Sequence, residues 1–399
     1  MFDQLTRLEQ KIDNMTLEGG SSAASSSRPS HASTATSPSW QTTPSSLFSN
    51  RDLKSPAVSS PPTSRFKSQL SPYFTAAHRT LLWPCIYSHV TRVIPEAAQR
   101  LAALAEGGTA WLIAQELDDS QSGLPMITNL SSVPVNENDL IPSFATRVYF
   151  TDLTTDRVQI YTSAYFSTFN AVYPIIDESL FMSQTLPTQM NNGFGYGDAP
   201  SVLTLLVLAL GQLAVESLNE APIATVDGEP SGICGGSVTT PPGLELFNEA
   251  RARIASFKLI PDAISVQVLI LQATYFEANA CHVEYWRSIV EASMISCALS
   301  RGPRMQWTML SGDLIKRAFW TCVLDEDFYH IDLDLPRTTI SELVGTVSMP
   351  SFQRASWQSR SQRSEDDQSL YQFYFLSKIG LQRVITNIHD AVQHCKSIS

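Results

Sequence analysis

The sequence contains no Cys-x-x-Cys pair, and its six cysteines are scattered along 399 residues. Zinc ribbons and small disulfide-linked domains need closely spaced cysteines, so neither a metal site nor a disulfide framework is predicted here. We expect reduced intracellular thiols that are mostly buried, and no cofactor bound by this chain. The six residues are Cys85, Cys234, Cys281, Cys297, Cys322 and Cys395.

Positive charge is scarce, since 27 lysines and arginines stand against 38 aspartates and glutamates and give a net charge of −11. Nonspecific DNA affinity comes from lysines and arginines that neutralise phosphates. We therefore do not expect the surface as a whole to bind DNA. Any DNA contact has to come from a local element.

Motifs for secretion, membrane insertion and common enzyme chemistry are also missing. Met1 is followed by Phe2 and Asp3 rather than by a basic and then an apolar segment, so we expect no secretory signal. The longest apolar run, residues 202–215, is shorter than the ~20 residues of a membrane span. No Gly-rich phosphate loop, nucleophile elbow or His-Glu-x-x-His motif occurs. We predict a protein that is not an enzyme and does not span a membrane.

The first 71 residues predict no packed core. Residues 1–18 carry apolar side chains at alternating steps of three and four, the a/d pattern of a coiled coil. Two heptads are too few for an independent dimer, so this fragment is either a short helix at a frayed terminus or the tail of a longer dimerisation helix. Residues 19–71 are rich in Ser, Thr and Pro and predict a disordered linker. The candidate dimerisation residues are Leu5, Leu8, Ile12 and Met15.

From residue 72 onwards the sequence predicts an all-α fold of packed antiparallel helical hairpins. Residues 72–156 predict a helical extension, on which His78 and His89 share one face and are interpreted as packing histidines because no third metal ligand is near. Residues 200–218 predict a central buried helix, and Gly211 indicates a close helix crossing there. Further helices are predicted over residues 243–259, 262–280, 282–300 and 370–395.

Two segments rich in aromatic residues predict two more helices. In residues 157–181, apolar side chains at helical spacing predict a helix that ends at Pro174; they are Ile160, Tyr161, Tyr165, Phe169 and Val172. Residues 314–340 open with an amphipathic helix, with Ser311 as its N-cap and its end before Pro336. Its apolar face is predicted to comprise Phe319, Trp320, Val323, Leu324, Phe328 and Ile331.

The second aromatic segment also holds a dense group of carboxylates, namely Asp325, Glu326, Asp327, Asp332 and Asp334. A calcium loop needs a glycine at its sharp turn, and this segment has none. We therefore expect structural ion pairs or solvated side chains rather than a catalytic or metal site. Arg317, two helical turns before Asp325, is its expected partner, while Phe319 and Trp320 are expected to anchor the packing.

The order of motifs resembles the regulatory "middle homology" domain of fungal zinc-cluster transcription factors. Lys316-Arg317 with Phe319-Trp320 matches a basic-x-Phe-Trp motif, Leu324-Asp325 a Leu-Asp motif, and Leu335-Pro336 stands where the family has Gly-x-Pro. The Tyr-Pro-Ile-Ile-Asp segment from residue 173 and the Val-Gln segment at residue 266 occur in family order as well. The signature residues are Pro174, Gln267, Trp286, Arg317, Phe319, Trp320, Asp325 and Pro336.

The resemblance implies a regulatory domain over residues 157–345, followed by a polar loop and C-terminal helix over 346–399. It also implies a nuclear regulator of transcription by RNA polymerase II that acts on DNA and the transcription machinery. In the family a six-cysteine binuclear zinc cluster binds DNA, a short coiled coil forms a homodimer or heterodimer, and the helical domain modulates activity, in some members by sensing a small molecule. The zinc cluster is absent here, so zinc is expected only if the cluster is encoded upstream. The alternative is a co-regulator that does not bind DNA, or a sensing module that pairs with a full-length relative.

Overall fold

A computed structural model of the chain describes residues 76–118, 124–126, 129–135, 146–217, 225–226, 229–230, 241–256, 261–302, 307–352 and 365–396. The chain divides into two units, Met1–Leu70 and Ser71–Ser399, and all described residues belong to the second. The coiled-coil fragment over 1–18 and the linker over 19–71 lie outside the described residues. Both remain predictions.

The predicted all-α architecture is confirmed. The helices are α1 (Ala77–Thr80), α2 (Pro84–Val93), α3 (Ala97–Asp118), α4 (Thr155–Ser167), α5 (Phe169–Val172), α6 (Glu178–Leu180), α7 (Leu186–Asn192), α8 (Ala199–Ser217), α9 (Leu244–Ser256), α10 (Ala263–Ala278), α11 (His282–Ser300), α12 (Leu310–Leu333) and α13 (Glu365–Lys396). A π-helical turn, Phe181–Thr185, joins α6 to α7, and a 3₁₀ turn, Thr339–Leu343, follows α12.

Short strands complete the described residues, although the sequence predicted none. Strands β1 (Ser132–Pro134), β2 (Arg147–Phe150) and β3 (Phe194–Gly195) form an antiparallel sheet in the order β1-β2-β3. Val148 pairs with Phe194, and both side chains are buried in the core. A separate pair, β4 (Thr225–Val226) and β5 (Glu229–Pro230), is also antiparallel. Strands of two to four residues are too short to show a clear alternating pattern.

Helix α8 is the centre of the core. Its residues from Ser201 to Gly211 are all buried, because α4, α9 and α10 pack around it. Among the described residues it is the one helix long and apolar enough to cross a membrane. Its most apolar stretch of 18 residues is 72% buried inside the protein. Such burial is what the core helix of a helical domain requires.

Gly211 lies where α8 crosses α4. A Cβ atom placed on Gly211 would lie 1.9 Å from the carbonyl oxygen of Tyr161, far inside van der Waals contact. The crossing therefore brings the two backbones together at a position that only glycine fits. This confirms the close crossing that the sequence predicted.

The predicted boundaries hold for α8 to α11, but several details are wrong. The helix expected to end at Pro174 is two helices, since α4 ends at Ser167 and α5 spans Phe169–Val172. Asp262 caps α10 by accepting a bond of 2.8 Å from the Ser265 amide, as its position predicts. Met309, not Ser311, is the N-cap of α12.

His78 and His89 lie in separate helices, α1 and α2, because the chain turns before Pro84. Two residues assigned to apolar faces point outwards instead, since Ile160 is 53% and Phe328 42% exposed.

Candidate functional site

The turn between α5 and α6, residues 173–176, is held in place by polar side chains from several helices. Asn170 binds the last residue of the turn, Ile176. The side-chain amide of Asn170 donates to the Ile176 carbonyl and accepts from the Ile176 backbone amide, each at 3.1 Å. Asn170 therefore replaces the hydrogen bonds that a helix would otherwise provide for this irregular backbone.

Two signature residues from distant helices meet at the same turn. Gln267 of α10 is 5% exposed and donates from Nε2 to the carbonyl of Ile175 at 2.6 Å. Arg317 of α12 donates from Nη1 to the carbonyl of Pro174 at 3.5 Å. Pro174, Gln267 and Arg317, which lie far apart in sequence, are thus brought together around one turn.

The main partner of Arg317 is Asp313, and the predicted pair with Asp325 is wrong. Nε and Nη2 of Arg317 donate to Oδ2 of Asp313 at 2.9 and 2.6 Å, one helical turn away. The other carboxylate oxygen accepts from the amide and hydroxyl of Ser351 at 2.6 and 3.0 Å. The guanidinium also stacks 4.7 Å from the ring centre of Phe352. Arg317 therefore joins α12 both to the turn at Pro174 and to the segment that follows the 3₁₀ turn.

Asp325 belongs to a different group of charges. It is 7% exposed, and Glu277 of α10 and Lys378 of α13 are the charged side chains that act on it. Burial, reinforced by the negative charge of Glu277, raises its pKa well above the usual value of a carboxyl group. Burial lowers the pKa of Lys378, although the two carboxylates oppose that shift. Nζ of Lys378 donates to the Tyr173 hydroxyl at 2.6 Å and lies 4.1 Å from the ring centre.

Three of the other four carboxylates of the dense group form separate contacts. Glu326 accepts from the amide of Thr338 at 3.0 Å and from its hydroxyl, and Asp327 pairs with Arg337 at 3.2 Å. Asp334 accepts from Arg79 at 2.7 Å and from Thr109 at 2.8 Å. The expectation of structural ion pairs is confirmed for Asp327 and Asp334. The expectation of a solvated face is wrong for Asp325, Glu326 and Asp327, which are all buried.

The aromatic signature residues are structural. Phe319 and Trp320 are 0% and 1% exposed, and their rings meet edge to face with centres 5.6 Å apart. The indole of Trp320 donates to the carbonyl of Ser348 at 3.2 Å. Trp286 donates to the carbonyl of Pro336 at 3.5 Å, so these two signature residues also meet. Both tryptophans fix the segment that follows α12 against the helical core.

A cleft of about 690 Å³ opens beside Tyr173. One side is formed by the end of α4 and by α5, and the other by the end of α10 with Tyr371 of α13. The lining residues are Ser167, Thr168, Phe169, Ala171, Val172, Tyr173, Thr274, Glu277, Ala278 and Tyr371. Since Tyr173 begins the turn held by Gln267 and Arg317, the cleft borders the meeting point of the signature residues.

The described cysteines do not fit a zinc cluster. Cys297 and Cys322 are buried in the core, and burial raises the pKa of both thiols. Cys281 is half-buried, with a pKa raised to about 11, and Cys85 is exposed. Within the described ranges, no group of three or more His, Cys, Asp or Glu side chains is placed to hold a metal ion. Thiols with raised pKa values in apolar surroundings are poor zinc ligands.

Sequence reasoning missed Asn170, Glu277, Asp313 and Lys378 as members of these groups. Asp313 could have been found, because a spacing of four residues before Arg317 places both side chains on one helical face. Glu277 and Lys378 are separated by 101 positions along the chain and carry no motif. Only the packing of both α10 and α13 against α12 brings them to Asp325.

Comparison with known proteins identifies the domain. The sequence profile of a family described as "Fungal specific transcription factor domain" matches residues 162–397, a range that extends from α4 to the end of α13. No curated protein and no solved structure matches the chain. The match covers more than half of the sequence, and the motifs inside it form the contacts described above. The chain therefore belongs to the family of proteins that carry the fungal-specific transcription factor domain.

Proposed function

We propose that this chain regulates transcription by RNA polymerase II in the nucleus, and that its helical domain modulates the output of target genes. The family match over residues 162–397 is the observation that carries this proposal. The packed signature residues support it, because the contacts of Pro174, Gln267 and Arg317 require an intact regulatory fold. The function rests on control by this domain rather than on catalysis.

DNA contact in this proposal comes from a zinc cluster that lies outside the 399 residues. The net charge of −11 and the scattered cysteines favour a separate DNA-binding element over the surface of this domain. The coiled-coil fragment with Leu5, Leu8, Ile12 and Met15 would join two subunits. The cluster is carried either by sequence upstream of this chain or by a relative with which the chain forms a heterodimer.

The second candidate is a co-regulator that does not bind DNA or a sensing module that pairs with a full-length relative. This candidate needs no closely spaced cysteines, and none occur within these 399 residues. The cleft beside Tyr173 supports small-molecule sensing, because its volume of about 690 Å³ lies in the range of ligand sites. A bound molecule there would touch the residue that leads into the turn between α5 and α6.

Purification from nuclei separates the two forms of the proposal. A tagged chain would be isolated with its partners, identified by mass spectrometry, and tested for zinc content and for retardation of promoter DNA. A zinc-cluster protein recovered with a zinc-free chain supports the heterodimer and co-regulator forms. An upstream exon encoding six closely spaced cysteines supports the self-contained form. Exclusion of the tagged chain from nuclei would contradict the proposal as a whole.

A further inference from the structure

The walls of the cleft beside Tyr173 combine aromatic rings with one acidic group. Phe169, Tyr173 and Tyr371 supply the rings, and Glu277 is the one formally charged side chain among the described residues that line the cleft. Glu277 reaches solvent at the mouth, yet the surrounding protein atoms raise its pKa by desolvation. A carboxylate next to aromatic faces is the environment that attracts an organic cation.

The carboxylate of Glu277 has no hydrogen bond or ion pair with the described residues. Lys378 and His282 act on its charge, but Lys378 donates to the Tyr173 hydroxyl and the contact of His282 is with Glu116, at 3.5 Å. The carboxylate of Glu277 is therefore open to pair with a cation that enters the cleft.

The ring of Tyr173 already binds one cation, since Nζ of Lys378 lies 4.1 Å from its centre. This arrangement shows that the aromatic chemistry of the cleft suits an ammonium group. The rings of Phe169 and Tyr371 add apolar surface on either side of the opening. A ligand with a charged end and an apolar body would use both parts of the lining.

We propose that this cleft binds a small organic molecule with a primary ammonium group and an apolar body, the ammonium directed to Glu277 and the body against the aromatic rings. The proposal rests on the proposed function, because the ligand would be the effector of the regulator. It deepens that function by naming the chemical class of the effector. Ligand binding would affect the turn of residues 173–176 through Tyr173, and Gln267 and Arg317 contact the same turn.

Isothermal titration calorimetry of the full chain tests the proposal with three matched probes, 2-phenylethylamine, 2-phenylethanol and phenylacetate. We expect the amine to bind with a Kd of about 1 mM or tighter, an ordinary affinity for a ligand of this size. The neutral alcohol and the anion should bind at least about tenfold more weakly, because each lacks the charge that Glu277 attracts. A trimethylammonium analogue that binds as well as the amine would overturn the assignment of a primary ammonium group.

Two cleft variants and one control locate the site. Glu277→Gln should weaken amine binding by about tenfold or more, and Ala278→Trp should abolish it by filling the cleft. Glu291→Gln, an exposed glutamate on α11 that lines a different groove, should bind the amine as the unmodified chain does. Far-UV circular dichroism of each variant confirms that it folds.

Equal binding of the amine and the alcohol, unchanged binding by both cleft variants, or no binding by any probe would overturn the proposal. These outcomes are distinguishable from failure of the proposed function, which is measured separately as transcription from a reporter gene. If no probe binds but the chain alters transcription, the cleft assignment fails and the regulator remains. If the amine binds but transcription is unaffected, the ligand site stands and the regulatory function fails.

Discussion

Replacement of Arg317 by methionine tests whether α12 organises the domain. The change keeps most of the side-chain volume but removes two charge-assisted hydrogen bonds to Asp313, at 2.9 and 2.6 Å, and the contact with the Pro174 carbonyl. Asp313 is 0% exposed and would keep its charge without its cation. Breaking a buried ion pair from one side costs about 3–5 kcal/mol of folding free energy.

We expect a value near the lower end, about 3 kcal/mol, because Asp313 keeps the two hydrogen bonds from Ser351. Unfolding in guanidinium chloride, followed by far-UV circular dichroism of the full chain, gives the free energy by linear extrapolation. The double variant Asp313→Asn/Arg317→Met should be more stable than Arg317→Met alone, since the uncompensated charge is gone. The Asn side chain can still accept from Ser351.

Arg301→Met is the matched control. Arg301 pairs with Glu342 at 3.9 Å, with side chains 57% and 67% exposed, so its loss should cost less than about 1 kcal/mol. Equal destabilisation by Arg301→Met and Arg317→Met would refute the role assigned to the buried pair. So would a double variant that is less stable than Arg317→Met alone.

Three further predictions use the same unfolding measurement. Gly211→Ala should lower the free energy of unfolding by about 3 kcal/mol, because the added methyl group would lie 1.9 Å from the Tyr161 carbonyl oxygen. Alanine is otherwise the better helix former, so a stabilised variant would contradict the close helix crossing. Trp320→Ala should lower the free energy of unfolding by about 3–5 kcal/mol, whereas Trp83→Ala, at a residue that is 47% exposed, should lower it by about 1 kcal/mol or less. Similar losses in the two variants would contradict the core position of Trp320. Burial raises the pKa of Asp325, so the folded state holds the carboxyl proton more tightly than the unfolded state and loses stability as pH rises above about 4. Asp325→Asn should therefore change stability little below that pH and should become increasingly more stable than the unmodified chain above it. A stability difference that does not depend on pH would refute burial as the cause.

The long helices could be predicted from the sequence because their signals are local. Helical periodicity and caps such as Asp262 place α8 to α11 within a few residues of their observed bounds. Gly211 indicated a close crossing because glycine is costly inside a helix unless packing requires it. Periodicity did not indicate which side of a helix each neighbour covers. For that reason Ile160 and Phe328 were placed on buried faces, although both are exposed.

The charged groups could be predicted only where both members lie on one helix. Eight residues separate Arg317 from Asp325, which is about 12 Å along a helix and too far for direct contact. Asp313 lies four residues away, about 6 Å along the helix, and forms the pair. The group of Glu277, Asp325 and Lys378 draws on three helices, and no local pattern encodes it. The signature order therefore identified the family more readily than it identified the contacts.

Transcription from a reporter gene tests the central claim most directly. The full chain would be fused to an unrelated DNA-binding module and expressed in a fungal cell that carries the matching promoter site. Messenger RNA from the reporter would be compared with that from the module alone and from a fusion carrying Trp320→Ala. We predict that the fusion changes reporter transcription and that Trp320→Ala abolishes the change. A folded, nuclear fusion whose reporter level equals that of the module alone would contradict the assignment of this chain as a transcription regulator.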